Sequence, residues 1–382
     1  MKVKLESFLQ EVSEKTTENN QYPVLTSSKA GLYLQSDYFN KQVASKDNTG
    51  YKIIKRGQFT YRAMSDTGEF FPNMLDCTDI GIVSPAYPVF EIAKPIIIPE
   101  FLKYYFKSNG FQQSIASFAQ GSTRTSIKYE KLKTVRMELP DLKEQQRHVE
   151  ILDTAQRIIN DRKKEIEKLD DLIKARFVEL FGTLHDNENG FDVVTIEDVC
   201  SLIKDGTHQT PQYTEDKEEG FKFLSSKDVM SQKIDWTDIK YIPAELHEKL
   251  YATIKPQKND ILMSKNGVNY GVAAVNDTDE VFDIYVSLAL LRPKEIIDPV
   301  FFRCVINNSE TKRQFDSSIK GIGVPNLHLG EIKKTKIFLP PMKLQKEFVA
   351  FVEQVDKSKV VAQQMLDEAQ KLFDSLMQEY FG

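Results

Sequence analysis

Leu139-Pro140-Asp141-Leu142-Lys143-Glu144-Gln145 and Leu339-Pro340-Pro341-Met342-Lys343-Leu344-Gln345 stand 200 residues apart, and the runs they open close on Phe181-Gly182 and Phe381-Gly382. From Leu142 and from Met342 onward neither run contains a glycine or proline before its closing glycine. The residue before a proline avoids the helical region and proline suits a first helical turn, so both stretches read as helix starts. Gly182 and Gly382 read as the stops. Each run predicts a single helix of about 40 residues, or roughly 60 Å at 1.5 Å per residue.

Working outward at the same shift, Pro99 and Phe101 fall on Pro299 and Phe301, Gly121 on Gly321, and Lys133 on Lys333. The register holds without a gap from Pro99 to Gly182, as an internal duplication would leave it. Within the second run Phe348, Val352, Val355, Ala362, Leu366, Ala369, Phe373, Leu376 and Tyr380 recur at alternating steps of four and three, broken only by Lys359. The first run repeats this in the same register as Leu152, Ala155, Ile159, Ile166, Leu169, Ile173 and Leu180, interrupted by His148, Arg162 and Arg176. So narrow a seam suits a coiled coil better than the broad face of a globular helix. The first helix runs from one globular part to the other and the second leaves that other part, so side-by-side packing makes them antiparallel. Two globular parts at opposite ends of a rod, related by an approximate two-fold axis, are expected.

The parts, roughly 1–140 and 183–340, carry mixed patterns. Lys52 to Tyr61, Thr134 to Leu139, Lys258 to Lys265 and Val281 to Leu291 predict strands; Pro99 to Phe118 and Asp298 to Ile319 predict helices. The expected fold is α+β: two repeated α/β domains, 1–140 and 183–340, joined by a long antiparallel two-helix coiled coil formed by 141–182 and 341–382, with pseudo-two-fold symmetry.

The 382 residues are 41% hydrophobic and 28% charged, an ordinary globular composition that predicts two or three domains. Neither the first twenty residues nor any later run has the roughly 18 apolar residues of a membrane span. The three cysteines, Cys77, Cys200 and Cys304, lack C-x-x-C spacing and leave one over after any pairing. A soluble protein of a reducing cytoplasm, with no membrane association, is expected. Net charge is −5 and the isoelectric point about 5.8. Contact with nucleic acid must then be local, or shared with a partner.

Walker-type and H-E-x-x-H strings are missing, and Leu339-Pro340-Pro341-Met342 lacks the amide and aromatic of an adenine methyltransferase motif. Glu331-Ile332-Lys333 with Asp316 upstream is a weak imitation of a metal-dependent nuclease motif, and its repeat counterpart is Lys131-Leu132-Lys133. No metal and no cofactor is expected. What recurs instead is basic, amide and hydroxyl residues beside glycine, the inventory that touches phosphates and base edges. Tyr61-Arg62-Ala63-Met64-Ser65 is matched by Met263 to Tyr270, and Gly121 to Lys128 by Gly321 to His328. Thr26-Ser27-Ser28-Lys29 and Lys204-Asp205-Gly206-Thr207-His208-Gln209-Thr210 lie near the starts of the two copies. Any one of these residues reads equally as an ordinary polar loop; recurrence at corresponding places raises the cluster above its members.

In this order and period the chain resembles the specificity subunit of type I restriction-modification systems, over essentially its whole length. The Gly-Ser-Thr-Arg to Leu-Pro-x-x-x-x-Gln passage of 121–145, its copy at 321–345, Lys-Asp-Gly-Thr-His and Asp260 to Gly267 carry the resemblance. The second copy replaces Ser-Thr-Arg by Ile-Gly-Val, so a contact by Arg124 does not carry over to that side. The resemblance implies a non-catalytic reader of double-stranded DNA. Each target-recognition domain would bind half of a split asymmetric site while the helices set the spacing. Two adenine methyltransferase subunits and restriction-translocase subunits would join it, in a bacterial or archaeal cytoplasm. On that reading Arg62, Lys265 and Asn266 are the leading candidates for base or phosphate contacts. Lys29, Arg124, Lys128, Lys204, Thr207, His208, Tyr270, Asn326 and His328 follow them. A coiled-coil tether with protein-binding domains is the competing reading, and an intrinsic nuclease a more distant one.

Overall fold

The structure is a computed structural model that describes residues 2–38, 47–118, 125–319 and 324–382. The chain divides into two compact units, one made of 1–164 with 362–382 and the other of 165–361. Each unit holds part of both long helices, which span Leu142–Phe181 and Met342–Phe381. Asp141 caps the first by accepting the Glu144 amide at 2.9 Å. It ends on Gly182, whose positive φ of 70° lets its amide turn back to the Val178 carbonyl at 2.8 Å.

The two units repeat one sheet. In the first, Leu9–Val12, Val89–Ile92, Phe59–Thr60 and Asn73–Met74 form a four-stranded antiparallel sheet in that order. In the second, Cys200–Asp205, Leu288–Pro293, Ile261–Ser264 and Ala273–Val275 do the same. A two-stranded antiparallel ribbon recurs as well, pairing Lys2–Lys4 with Arg136–Glu138 and Asp192–Thr195 with Lys336–Leu339. The fold is therefore α+β, used twice.

Several expected elements are divided, each for a local reason. Lys52 to Tyr61 becomes Lys52–Lys55 and Phe59–Thr60 in different sheets, because Gly57 takes φ 85° and turns the chain between them. Val281 to Leu291 becomes Phe282–Ile284 and Leu288–Pro293, separated by a turn closed by the Leu288 amide on the Tyr285 carbonyl. Pro99 to Phe118 becomes Pro99–Lys107 and Asn109–Ala116, and Asp298 to Ile319 becomes Pro299–Ile306 and Ser309–Ser318. The breaks fall 200 residues apart at Ser108 and Asn308, whose side chains cap the second helix of each pair.

The long helices run antiparallel in both units. In the first, His148 stacks on Tyr380 with ring centroids 3.8 Å apart, and Phe381 packs on Phe101 at 4.9 Å. In the second, Phe177 meets Phe348 at 5.6 Å, and Phe181 packs on Phe301 at 5.1 Å. Phe181 and Phe381 are thus exchanged: each closes the core of the domain that belongs to the other copy. Leu152, Ile159, Phe348, Val352 and Ala362 of the seam are buried. Charged residues within it find partners, Lys359 on Asp170 at 2.5 Å and Arg176 on Glu347 at 3.3 Å.

Two buried glutamines fasten the helix starts. Gln145 accepts from the Ile98 amide and donates to the Ile96 and Pro140 carbonyls; Gln345 accepts from Asp298 and donates to Ile296 and Pro340. Both are fully buried, so these bonds have no competition from water.

Burying a phenylalanine contributes about 1.5–3 kcal/mol, and truncating one in a packed core costs about 3–5 kcal/mol. Phe381→Ala is therefore expected to speed hydrogen exchange in the first unit, including residues 101–115, and Phe181→Ala in the second, including 301–315. Equal acceleration of both units by either variant would contradict the exchanged packing.

Candidate nucleic-acid interface

In the second unit the polar cluster forms where the strands Cys200–Asp205 and Ile261–Ser264 leave the sheet on either side of Leu288–Pro293. Beyond Asp205 the chain runs so close to the neighbouring strand that a Cβ on Gly206 would lie 2.0 Å from the Ile284 carbonyl oxygen. Only glycine fits there. The Thr207 amide then donates to Ile284, and the Thr207 carbonyl accepts from Val286 at 3.0 Å. On the other side the Lys265 amide donates to the Ser287 carbonyl at 2.9 Å, while the Lys265 carbonyl accepts from Leu327 at 2.7 Å. Gly267 donates to Pro325 at 3.0 Å, and Asn266 and Asn326 pair as an antiparallel bridge. Four chain segments, around 205–208, 265–267, 285–287 and 325–327, are tied into one cluster by backbone hydrogen bonds.

Electrostatics ties the same segments. The Lys265 ammonium is buried and donates to Asp205 Oδ2 at 2.8 Å, and His208 Nε2 lies 3.3 Å from the same oxygen. Burial pushes the Asp205 carboxyl up, but the Lys265 hydrogen bond and the nearby charges outweigh it and hold the group below the usual carboxylate range. Around this pair the exposed face presents His208, Asn326 and His328. Lys204 is exposed and donates to the Thr253 carbonyl at 3.4 Å. Tyr270 is buried, its hydroxyl donating to Asp316 Oδ1 at 2.5 Å with the Lys312 ammonium 3.6 Å from its ring centre, and so it fastens the loop to the helix Ser309–Ser318.

The first unit repeats the backbone tie with different side chains. The Ala63 carbonyl accepts from Ile127 at 3.0 Å, the counterpart of the Leu327 bond to Lys265, with the donors 200 residues apart, and Met64–Ser65 pairs with Thr125–Ser126. The buried Tyr61 hydroxyl adds a bond to the Ile127 carbonyl at 3.1 Å. Arg62 is exposed, with Asp66 at 3.6 Å; Lys128 is exposed just before the helix Tyr129–Leu132. Lys29 is exposed, 3.2 Å from Glu69 and over the Phe71 ring. Arg124 lies outside the described residues.

The matched clusters thus differ in side chains: Ala63, beside the exposed Arg62, stands at the tie in the first unit, where the second has Lys265, buried and paired. Asp205 and Ser287, which organise the second cluster, were not singled out in the sequence. Asp205 lies within the polar string Lys204 to Thr210, whereas Ser287 is hidden in an apolar run that reads as one strand. Asp316 of the nuclease-like string accepts from Tyr270 and is paired with Lys312. Among the described residues no group of three metal-ligating side chains is arranged to hold an ion, and no helix is long and apolar enough to cross a membrane.

Two domains built on one plan, each with a loop cluster at the same sheet position, match a known arrangement. The model for the type I restriction modification DNA specificity domain fits residues 6–168 and again 188–369. The chain belongs to that family. It is 21% identical over 366 residues to the type I restriction enzyme MjaVIII specificity subunit of Methanocaldococcus jannaschii, covering 90% of this chain and 84% of that one. With the MjaIX specificity subunit of the same organism it shares 23% over 306 residues, covering 75% and 69%. The fold is similar to the crystal structure of the type I restriction-modification S subunit from M. genitalium, with a TM-score of 0.56 and 16% identity over 100% of this chain and 96% of that one. It is a type I restriction-modification specificity protein, whose business is DNA recognition.

The Asp205–Lys265 pair has a signed pH dependence. Because its pKa is depressed in the fold, the pair stabilises above the ordinary carboxylate range near 4 and that stability is lost as pH falls through the lowered value. Lys265→Met is expected to move the Asp205 carboxyl titration, followed by carbon NMR, to higher pH. An unmoved titration would contradict the pairing.

Proposed function

We propose that each domain reads one half of a split, asymmetric DNA site, using the loop clusters around Arg62 and Lys128 in the first unit and around Asp205, Lys265 and Asn326 in the second. The observation that carries this reading is the recurrent tie, Ile127 to Ala63 and Leu327 to Lys265. It sets an exposed polar surface at the same place in both copies, on side chains that differ. Two unlike readers on one chain suit a non-palindromic target, since identical readers related by two-fold symmetry would require a palindrome.

Arg62, Lys29, Lys128, Asn326, His208 and His328 are exposed and suit direct contact. Lys204 and Thr207 flank the Asp205 turn, and Arg124 joins the first cluster on sequence grounds. Lys265, Asn266 and Tyr270 act from within: they hold the loops, and Lys265 would approach the DNA by release from Asp205. The subunit has no catalysis of its own. Two adenine methyltransferase subunits dock on it and supply positive surface that a chain of net charge −5 lacks, and restriction-translocase subunits complete the nuclease. Such a complex works in the cytoplasm, where the cell's DNA is.

Binding of the methyltransferase complex to its site, with each half scrambled in turn, tests the assignment. Arg62→Ala is expected to lose about tenfold or more in affinity and to lose its sensitivity to scrambling of one half; Asn326→Ala should do so for the other half. Lys128→Ala is expected to weaken all duplexes alike, as a phosphate contact does. Equal loss on random DNA by Arg62→Ala and Asn326→Ala would contradict half-site reading.

A further inference from the structure

In the second unit the two long helices and the helix Pro299–Ile306 surround a cavity of about 160 Å³. Its wall is apolar at Ile173, Phe177 and Phe348 and charged at Arg303, Lys233 and Asp356. None of these residues belongs to the loop cluster around Asp205.

Arg303 is only 8% exposed, yet its guanidinium is poorly paired. Its closest carboxylate contact is Asp356 at 3.8 Å, one nitrogen lies 3.6 Å from the Cys304 sulfur, and the buried Nε has no hydrogen-bond partner among the described residues. Lys233 approaches the same Asp356 at 4.0 Å. The other lysines of the wall are taken: Lys359 by Asp170 at 2.5 Å, Lys174 by Asp171 at 2.9 Å. Two cations therefore share Asp356, neither within hydrogen-bonding distance of it, while the other carboxylate of the wall, Asp170, is engaged by Lys359. A buried guanidinium carries five donors and is costly unless it is both neutralised and hydrogen-bonded. The unmet demand is for one negative charge bearing several acceptor oxygens.

A cavity of about 150 Å³ holds a benzene molecule, so an ion of five heavy atoms fits within 160 Å³. Lys233, with half of its side chain exposed, keeps one side of the space open to solvent. We infer that this cavity is a binding site for a small tetrahedral oxyanion, phosphate or sulfate, held by Arg303 and Lys233. The ion would bridge the helix Pro299–Ile306 and the loop at Ser231 to Lys233, beside the second long helix, and so stiffen the second unit where the helices enter it.

The test uses the full-length chain. Inorganic phosphate is titrated against the protein by phosphorus NMR line width, and the thermal midpoint is measured in phosphate, sulfate and chloride at equal ionic strength. Saturable phosphate binding with competition from sulfate, and a rise in midpoint that chloride does not give, are expected. Lys233→Met, at a half-exposed position, should fold normally and weaken binding about tenfold, the loss of one charged hydrogen bond. Arg303→Met should abolish binding; if it fails to fold, Lys233→Met decides. A DNA duplex should not displace the phosphate, because the cavity is too enclosed to admit a backbone. Absence of saturable binding, binding undiminished in Lys233→Met, or displacement by DNA would overturn the site as a home for a free ion.

Discussion

The structure depends on an exchange of phenylalanines. Phe181, at the end of the first long helix, packs on Phe301, and Phe381, at the end of the second, packs on Phe101. All four are at least 93% buried. Neither domain's core is complete without a helix end supplied by the other copy, and that requirement makes the helices antiparallel in each unit. Residues 200 apart then have equivalent surroundings. Gln145 and Gln345 anchor matching loops, and Ser108 and Asn308 cap matching helices. Duplication followed by exchange of helix ends accounts for the period of 200 without further assumptions.

On that frame the loop clusters are held by backbone bonds that side-chain identity does not affect. The ties through Ala63 and Lys265 use carbonyl groups. Side chains around them are consequently free to diverge, and they have: Ala63, with the exposed Arg62 beside it, stands in one domain where a buried Lys265, neutralised by Asp205, stands in the other. A scaffold whose geometry is independent of its outward-facing residues is what a family of DNA readers with different targets requires.

The long helices, their ends and the duplication were legible because they rest on periodicity and on glycine and proline, signals that act locally. Strands were harder. Lys52 to Tyr61 and Val281 to Leu291 read as single strands because β-branched and aromatic residues continue through the turns at Gly57 and Tyr285; which sheet each half joins is decided by distant partners. The exposure of individual candidate residues was not legible. Nothing in Met263-Ser264-Lys265-Asn266-Gly267 reveals that Lys265 turns inward, because its partner Asp205 lies 60 residues away. Nor does the sequence reveal that the Tyr270 hydroxyl donates to Asp316 on another helix.

The account stands on one chain carrying two different readers, and adenine-methylation mapping reaches that point directly. Genomic DNA from cells expressing this chain with a methyltransferase subunit would be sequenced by a long-read method that detects methyladenine, beside cells lacking the chain. The account predicts a new methylated motif of two unlike short halves separated by a fixed gap. A continuous or palindromic motif, or no new methylation although the two proteins form a complex, would contradict it.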